Sequence, residues 1–151
     1  MLKVCLVTPE LAPFTSGGIG VLIHNIILEY SSGDVEFHVL VLEDAQVNDI
    51  AFTMIFPKAK LWRIADLNLT QDPMRDPPEE AFTTHSWHYR SFQVAKALQR
   101  LASQGVVFDF VEFPDWGGLA FCSCQDKLLG NWDHAQIAVR IHSTDSILRP
   151  G

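Results

Sequence analysis

Hydrophobic positions in this chain fall into short runs separated by longer segments with a helical period. Four runs are rich in β-branched and aromatic residues: KVCLVT (residues 3–8), VEFHVLVL (35–42), FDFVEF (108–113) and IAVRIH (137–142). The first of these runs is apolar at nearly every position, which is typical of a parallel strand that is buried on both faces of a sheet. We therefore expect four strands at these positions.

Segments between these runs carry apolar residues at the spacing of an amphipathic helix. Helices are predicted at residues 19–31, 80–103 and 117–129, and Gly105 is a plausible terminator of the second. Strands that alternate with helices predict an α/β fold, a Rossmann-like doubly wound parallel sheet. The segment 43–79 is less regular and offers two short strand candidates, AFTMIF (51–56) and KLWRIA (60–65).

Length and composition indicate one domain that spans residues 1–151. The chain is 48% hydrophobic and has a net charge of −7, which disfavours a nucleic-acid partner. Its apolar runs are too short for a transmembrane segment, and its start does not resemble a signal peptide. Three cysteines do not suggest a disulfide framework, so a cytoplasmic protein is expected. His85 and His88 have a metal-compatible spacing but no further ligands nearby, so we expect no metal site.

Three glycines, Gly17, Gly18 and Gly20, lie at the start of the first predicted helix, shortly after the first strand. The free N–H groups of a helix N-terminus favour an anion, and glycines let a phosphate approach the backbone closely. The alternative is a tight turn that needs positive φ at one or two glycines. Polar or glycine-rich segments also follow the later strands, at residues 112–118 and 142–145. In doubly wound sheets, ligands bind at these carboxyl ends.

Two common phosphate-binding loops differ from this pattern. The P-loop sequence is absent. In the dinucleotide fingerprint, Gly18 and Gly20 would fill the first two glycine positions, but Ile23 occupies the third. Glu43 and Asp44 lie roughly where a ribose-binding acid would be found. A domain that binds a nicotinamide or flavin nucleotide therefore stays an alternative.

Several segments, taken in order, resemble the N-terminal domain of GT-B glycosyltransferases, within the family 4 retaining enzymes and their glycogen and starch synthase relatives. The segments are Glu10-x-x-Pro13 with Gly17-Gly18-Ile19-Gly20, YRSFQVAKALQRL (89–101), FDFVEFPDWGGLA (108–120) and IAVRIHSTDS (137–146). The synthases carry a lysine before the glycines and an aspartate after them. Here those places hold Thr15-Ser16 and Val21, which favours the broader family over a polyglucan synthase.

The resemblance implies the N-terminal half of a GT-B fold, with a second, donor-binding domain outside this chain. It places Gly17, Gly18 and Gly20 against the diphosphate of a UDP-, ADP- or GDP-sugar donor. It makes His142 the catalytic candidate, as a contact to the donor sugar or to the transition state. Ser143 and Thr144 could add hydroxyl contacts or cap a turn. No cofactor is implied. The sequence contains nothing that resembles a nucleophile–base pair, and in these retaining enzymes the donor phosphate is thought to assist its own departure.

Acceptor-side candidates are Asp115, Trp116 and Glu10, and the acceptor would be a sugar, a lipid or a small molecule. The residues themselves leave structural interpretations open. His142 could be a polar strand-end residue, and Asp115 could be a helix N-cap. Glu112 could face either side of the sheet, and Arg140 is expected to pair with an acid. A non-catalytic α/β domain is the rival to an enzyme.

Overall fold

A computed structural model describes residues 1–31, 33–42, 47–69, 76–82, 86–131 and 134–142. These residues form an α/β fold around a five-stranded sheet in which all neighbouring strands are parallel. The strands are Leu2–Thr8 (β1), Val35–Val41 (β2), Lys60–Arg63 (β3), Phe110–Pro114 (β4) and Gln136–Arg140 (β5). Their spatial order is β3-β2-β1-β4-β5. The predicted doubly wound parallel sheet is confirmed.

Alternating side chains of the sheet build two separate cores. The helices are Gly18–Tyr30 (α1), Asp49–Ile55 (α2), Ser86–Ser103 (α3) and Phe121–Leu128 (α4). Val4 and Leu6 of β1 belong to the core that includes residues of α1 and α2. Cys5 and Val7 belong to the core under α3 and the segment leading into α4. Because both faces of β1 are covered, its apolar run needs no polar alternation.

The AFTMIF segment was expected as a strand, and that prediction is wrong, because residues 49–55 form α2. The Asn48 side chain caps this helix by accepting a hydrogen bond from the N–H of Ala51 at 3.1 Å. Phe52 and Phe56, four residues apart, are both buried and pack with ring centroids 5.1 Å apart. A short apolar run does not distinguish a strand from a buried helix, and here the cap and the i, i+4 aromatic pair favour the helix.

Helix starts also differ from the predicted boundaries. Residues 79–82 form a 3₁₀ helix, and α3 begins at Ser86. The third helix was expected from residue 117, but α4 begins at Phe121, after a 3₁₀ turn. Gly117 and Gly118 have φ values of +71° and +62°, which an α-helix cannot contain. Gly105, with φ of +82°, follows α3 as a terminator should.

All three cysteines are free thiols in the structure. Cys5 is fully buried in the core under α3, and burial raises the pKa of its thiol well above the ordinary value. Burial also raises the pKa of Cys122. A raised thiol pKa disfavours the reactive thiolate, so the surroundings of Cys5 and Cys122 are typical of structural cysteines and not of reactive ones.

A polar network around the buried His38 joins β2 to β3. The indole N–H of Trp62 donates to Nδ1 of His38 at 2.8 Å, so Nε2 of His38 carries the proton and donates to Glu36 at 2.8 Å. Lys60 donates to the same Glu36 oxygen at 2.7 Å. Hydrogen bonds from Lys60 and then His38 hold the pKa of Glu36 below its usual range. Burial lowers the pKa of His38, although its bond to Glu36 opposes this shift.

Folding stability is expected to fall as the pH decreases from about 7 to about 5, partly because of His38. The unfolded histidine binds its proton near pH 6.5, whereas the folded one binds it only at lower pH, because its pKa is lowered. The contribution is therefore fully present above about pH 6.5 and is lost as the pH falls. Urea unfolding of wild type and His38→Gln across this range should show a shallower pH dependence in the variant. The exposed His134→Gln is the control, and equal slopes in all three proteins would contradict the prediction.

Candidate functional site

The carboxyl ends of β1 and β4 meet where the winding of the sheet reverses. From β1 the chain continues outward to β2 and β3, and from β4 it continues to β5 on the other side. This switch point is where open parallel sheets hold their ligands. The segments that follow β1, β4 and β5 therefore lie at one edge, and these are the segments singled out from the sequence.

The loop after β1 is built by its own hydrogen bonds. The hydroxyl of Thr8, which is buried, accepts from the N–H of Glu10 at 3.0 Å and donates to its carbonyl. The hydroxyl of Thr15 accepts from the N–H of Leu11 at 2.7 Å. His24 of α1 donates from Nδ1 to the carbonyl of Ala12 at 2.9 Å. Thr15, which marks a departure from the synthase pattern, thus shapes the loop.

The three glycines of the loop differ in whether the structure could accept a side chain at their position. Gly17 has φ of +144°, and a Cβ there would overlap the carboxylate of Glu10. A Cβ on Gly20 would lie 3.0 Å from the backbone nitrogens of Leu11 and Ala12, closer than side chains normally approach. Gly18 has neither constraint, because its φ is ordinary and no atom lies within 4 Å of a Cβ there. The turn interpretation is confirmed at Gly17, close packing explains Gly20, and Gly18 faces open space.

Glu10 lies at the N-terminus of α1, where the sequence predicts an anion. Its carboxylate accepts a long hydrogen bond, 3.4 Å, from the N–H of Gly20. The N-cap residue of this helix is Gly17, which has no side chain that could cap it. A carboxylate near the first turn is favoured by the free N–H groups and the helix dipole. The chain thus places a carboxylate of its own at this helix end.

Asp115 and His142, which follow β4 and β5, meet at the same edge. Nδ1 of His142 lies 3.2 Å from Oδ1 of Asp115, and their side chains are 18% and 23% exposed. Nε2 of His142 is inaccessible to solvent and has no hydrogen-bond partner among the described residues. Asp115 occupies the N-cap position of a 3₁₀ turn, but its side chain makes no capping hydrogen bond. The capping interpretation of Asp115 is therefore wrong.

Trp116 projects from the β4 loop with 56% of its surface exposed. It meets Trp87 of α3 edge to face, with ring centroids 6.3 Å apart, and the guanidinium of Arg90 lies 4.7 Å from the Trp87 ring centroid. A Cβ on Gly117 would overlap the Trp87 ring, so glycine is required at this position. Arg90 was not singled out from the sequence, since only the tertiary contact distinguishes it from other helix-surface arginines.

Glu112 and Arg140 form an ion pair that connects β4 to β5. Arg140 donates from Nε and a terminal nitrogen to both Glu112 oxygens, at 2.6 and 2.7 Å. The hydrogen bond to Glu112 raises the pKa of Arg140. The expected pairing of Arg140 with an acid is confirmed, and this two-point contact gives Glu112 a structural role.

Ser91 of α3 forms hydrogen bonds to the backbone of the segment that follows β4. Its buried hydroxyl donates to the carbonyl of Leu119 at 2.9 Å and accepts from the N–H of Cys122, in the first turn of α4, at 2.9 Å. One side chain of α3 thus satisfies two backbone groups at the start of α4. This contact holds the segment that carries Asp115 and Trp116 against the body of the fold.

Ser91→Ala is expected to lower the free energy of unfolding by about 1–3 kcal/mol, because it leaves buried backbone groups unpaired. Ser123→Ala is the matched control: its hydroxyl is also buried but has no partner among the described residues. Removing that hydroxyl should be neutral or slightly stabilising. Urea unfolding of both variants measures the difference, and equal losses in the two would contradict the role given to Ser91.

Several residues considered from the sequence lie outside the described residues, namely Glu43, Asp44, His85, Ser143 and Thr144. Within the described residues, no three histidine, cysteine, aspartate or glutamate side chains form a group suited to a metal ion. In the same part of the chain, none of the helices has the length and hydropathy needed to cross a bilayer.

Comparison with known proteins does not assign the chain to a family. No protein-family model matches the chain, and no curated protein matches its sequence significantly.

Proposed function

We propose that this chain is the N-terminal, acceptor-side domain of a retaining glycosyltransferase of the GT-B, family 4 kind. Such an enzyme transfers a sugar from a UDP-, ADP- or GDP-sugar to an acceptor, which would be a sugar, a lipid or a small molecule. The observation that carries the proposal is the contact between Asp115 and His142. It joins two of the segments that resemble the family, at the edge where parallel sheets bind ligands.

The glycine loop supports a role in accommodating the donor diphosphate. Gly18 opens onto unoccupied space at the first turn of α1, so a phosphate could approach the backbone there. Glu10 already interacts with this helix end. We therefore propose that the diphosphate approaches from the side of Gly18, while Glu10 stays beside Gly17 and Gly20 and faces the acceptor.

His142, Asp115 and Trp116 would serve the transferred sugar and the acceptor. An imidazole can form a hydrogen bond to a sugar hydroxyl, and the exposed indole offers an apolar face. A retaining reaction in which the donor phosphate assists its own departure needs no protein nucleophile. The residues would mainly orient groups and stabilise developing charge.

The proposal requires a second domain that supplies most contacts to the nucleotide. It is tested by incubating the two-domain polypeptide that carries this chain with a panel of UDP-, ADP- and GDP-sugars and following donor consumption. Consumption of at least one donor, with the anomeric configuration retained in the product, is the expected result. If no nucleotide sugar is consumed and the protein instead binds a nicotinamide or flavin nucleotide, the dinucleotide alternative replaces the proposal.

This chain alone is expected not to turn over donor. One domain makes too few contacts to offset the loss of translational and rotational freedom on binding, at least about 4 kcal/mol. The same donor panel, applied to the purified 151-residue chain, provides the measurement. Clear sugar transfer by this chain would mean that the site does not depend on a second domain.

A further inference from the structure

A cavity of about 530 Å³ lies at the edge of the sheet opposite the candidate site. Its lining includes Phe108 and His134, which precede β4 and β5, and residues 96–102 of α3 contribute to it. Asp115 and His142 follow the other ends of these strands and do not line the cavity. We infer that this cavity is a second small-molecule site, whose ligand is an uncharged ring compound that carries an amide-like donor and acceptor.

The size and the inner wall of the cavity suit the apolar part of such a ligand. Ligand pockets in proteins typically have volumes of about 300–1,000 Å³. Leu98 and Phe108 are 1% and 3% exposed and belong to the core under α3, and Val106 packs against that core. Ala102 and Val107, which are exposed, add apolar surface further out. A ring placed here would lose contact with water, which favours binding.

The lysine and the aspartate that line the cavity neutralise each other. Nζ of Lys96 donates to the two oxygens of Asp76 at 3.1 and 2.9 Å, and the Asp76 side chain is only 8% exposed. An anionic ligand would have to draw Lys96 away from Asp76, and a cationic ligand would have to draw Asp76 away from Lys96. Either exchange leaves a poorly hydrated charge without its partner, which is costly. The site therefore favours a ligand without net charge.

Asp126 of α4 positions the two residues that supply amide groups. Its carboxylate accepts from Nε2 of Gln99 at 2.6 Å, and its backbone carbonyl accepts from the N–H of Asn131 at 3.1 Å. A carboxylate only accepts, so the NH₂ group of Gln99 faces Asp126 and the amide oxygen of Gln99 remains an acceptor. The Asn131 side chain adds a second amide to the lining. Two amide side chains match a neutral ligand that both donates and accepts hydrogen bonds.

Benzamide, benzoate and benzamidine test the ligand class, because they are nearly isosteric and differ mainly in charge. Each is titrated into the nitrogen-15-labelled 151-residue chain, followed by backbone amide shifts, at about pH 8, where an ordinary imidazole is neutral. We expect benzamide to give saturable shifts at Val107 and Phe108, with a Kd on the order of 1–10 mM. Kd for the anionic and cationic probes should be at least about fivefold higher, because neither can pair without breaking the ion pair.

Ala102→Trp tests the location, because an indole at this exposed lining position would occupy the cavity. Ser103→Trp is the matched control: it changes the next residue of the same helix, which is also exposed but does not line the cavity. The benzamide shifts should be lost in Ala102→Trp and retained in Ser103→Trp. Gln99→Leu, which removes the amide, should raise the Kd for benzamide at least about fivefold. The Gln99 variant tests the site even if Ala102→Trp does not fold.

The inference is overturned if benzamide gives no saturable shift up to its solubility limit, or if either charged probe binds as tightly as benzamide. Unchanged benzamide binding in folded Ala102→Trp or Gln99→Leu overturns the location. Shifts confined to the glycine loop or to Asp115 and His142 would also place the ligand elsewhere. These measurements need neither a sugar donor nor a second domain. Their outcome is therefore independent of whether the proposed function holds.

Discussion

Gly18→Val is expected to leave the fold intact and to weaken donor binding, whereas Gly20→Val should destabilise the fold. A Cβ on Gly18 meets no atom within 4 Å and has an ordinary φ, so stability should change by less than about 0.5 kcal/mol. If the diphosphate of the donor lies against this backbone, a branched side chain occupies its place. KM for the nucleotide sugar should then rise in the two-domain enzyme, with a smaller change in kcat.

Gly20→Val introduces the same side chain two residues later, in a closed environment. A Cβ there would lie 3.0 Å from the backbone nitrogens of Leu11 and Ala12, and backbone atoms cannot move aside as a flexible side chain can. Overpacking of this kind costs about 3 kcal/mol. Urea unfolding of both variants, beside steady-state kinetics on the folded fraction, separates the two effects. If Gly18→Val binds donor normally, or if Gly20→Val is as stable as wild type, the roles assigned to these glycines are incorrect.

His142→Ala is expected to lower kcat of the two-domain enzyme roughly 30-fold to 1000-fold, which corresponds to about 2–4 kcal/mol of transition-state stabilisation. The substitution removes a hydrogen bond without adding bulk. Its side chain is partly exposed and pairs with a partly exposed carboxylate, so the loss in stability should stay below about 1 kcal/mol. The melting temperature should therefore change little.

The control for His142→Ala is His134→Ala, an exposed histidine at the start of the segment that leads into β5. That variant should keep both its activity and its stability. Unchanged kcat/KM in folded His142→Ala would remove His142 from the site. A large loss of stability with normal specific activity in the remaining folded protein would give His142 a structural role only.

Local sequence patterns predicted the positions of the strands well. Burial on both faces explains the near-continuous apolar runs of β1 and β2, whereas β5, at the edge of the sheet, is largely exposed although its segment was expected to be buried. Residues 3–8 and 35–42 match β1 and β2 closely, and the KLWR part of a weaker candidate forms β3. The same reasoning failed for residues 51–56, since an apolar run of that length fits a strand or a helix equally well. In that segment the helix is favoured over a strand by the Asn48 cap and by the packing of Phe52 on Phe56.

For the site, the sequence by itself determined which segments follow the strands, and the parallel order of the sheet then brings them to one edge. It could not determine the contacts within that edge. Asp115 meets His142 across 27 residues, and Ser91 reaches Leu119 across 28. The Glu10 carboxylate accepts a hydrogen bond from the N–H of Gly20 in the glycine loop, ten residues further along the chain. Such contacts depend on side-chain directions set by strand register and helix packing, which no periodicity within a short window encodes. The tertiary structure alone therefore decided that the Asp115 side chain contacts a histidine and makes no capping hydrogen bond, and that of the three glycines only Gly18 opens onto free space.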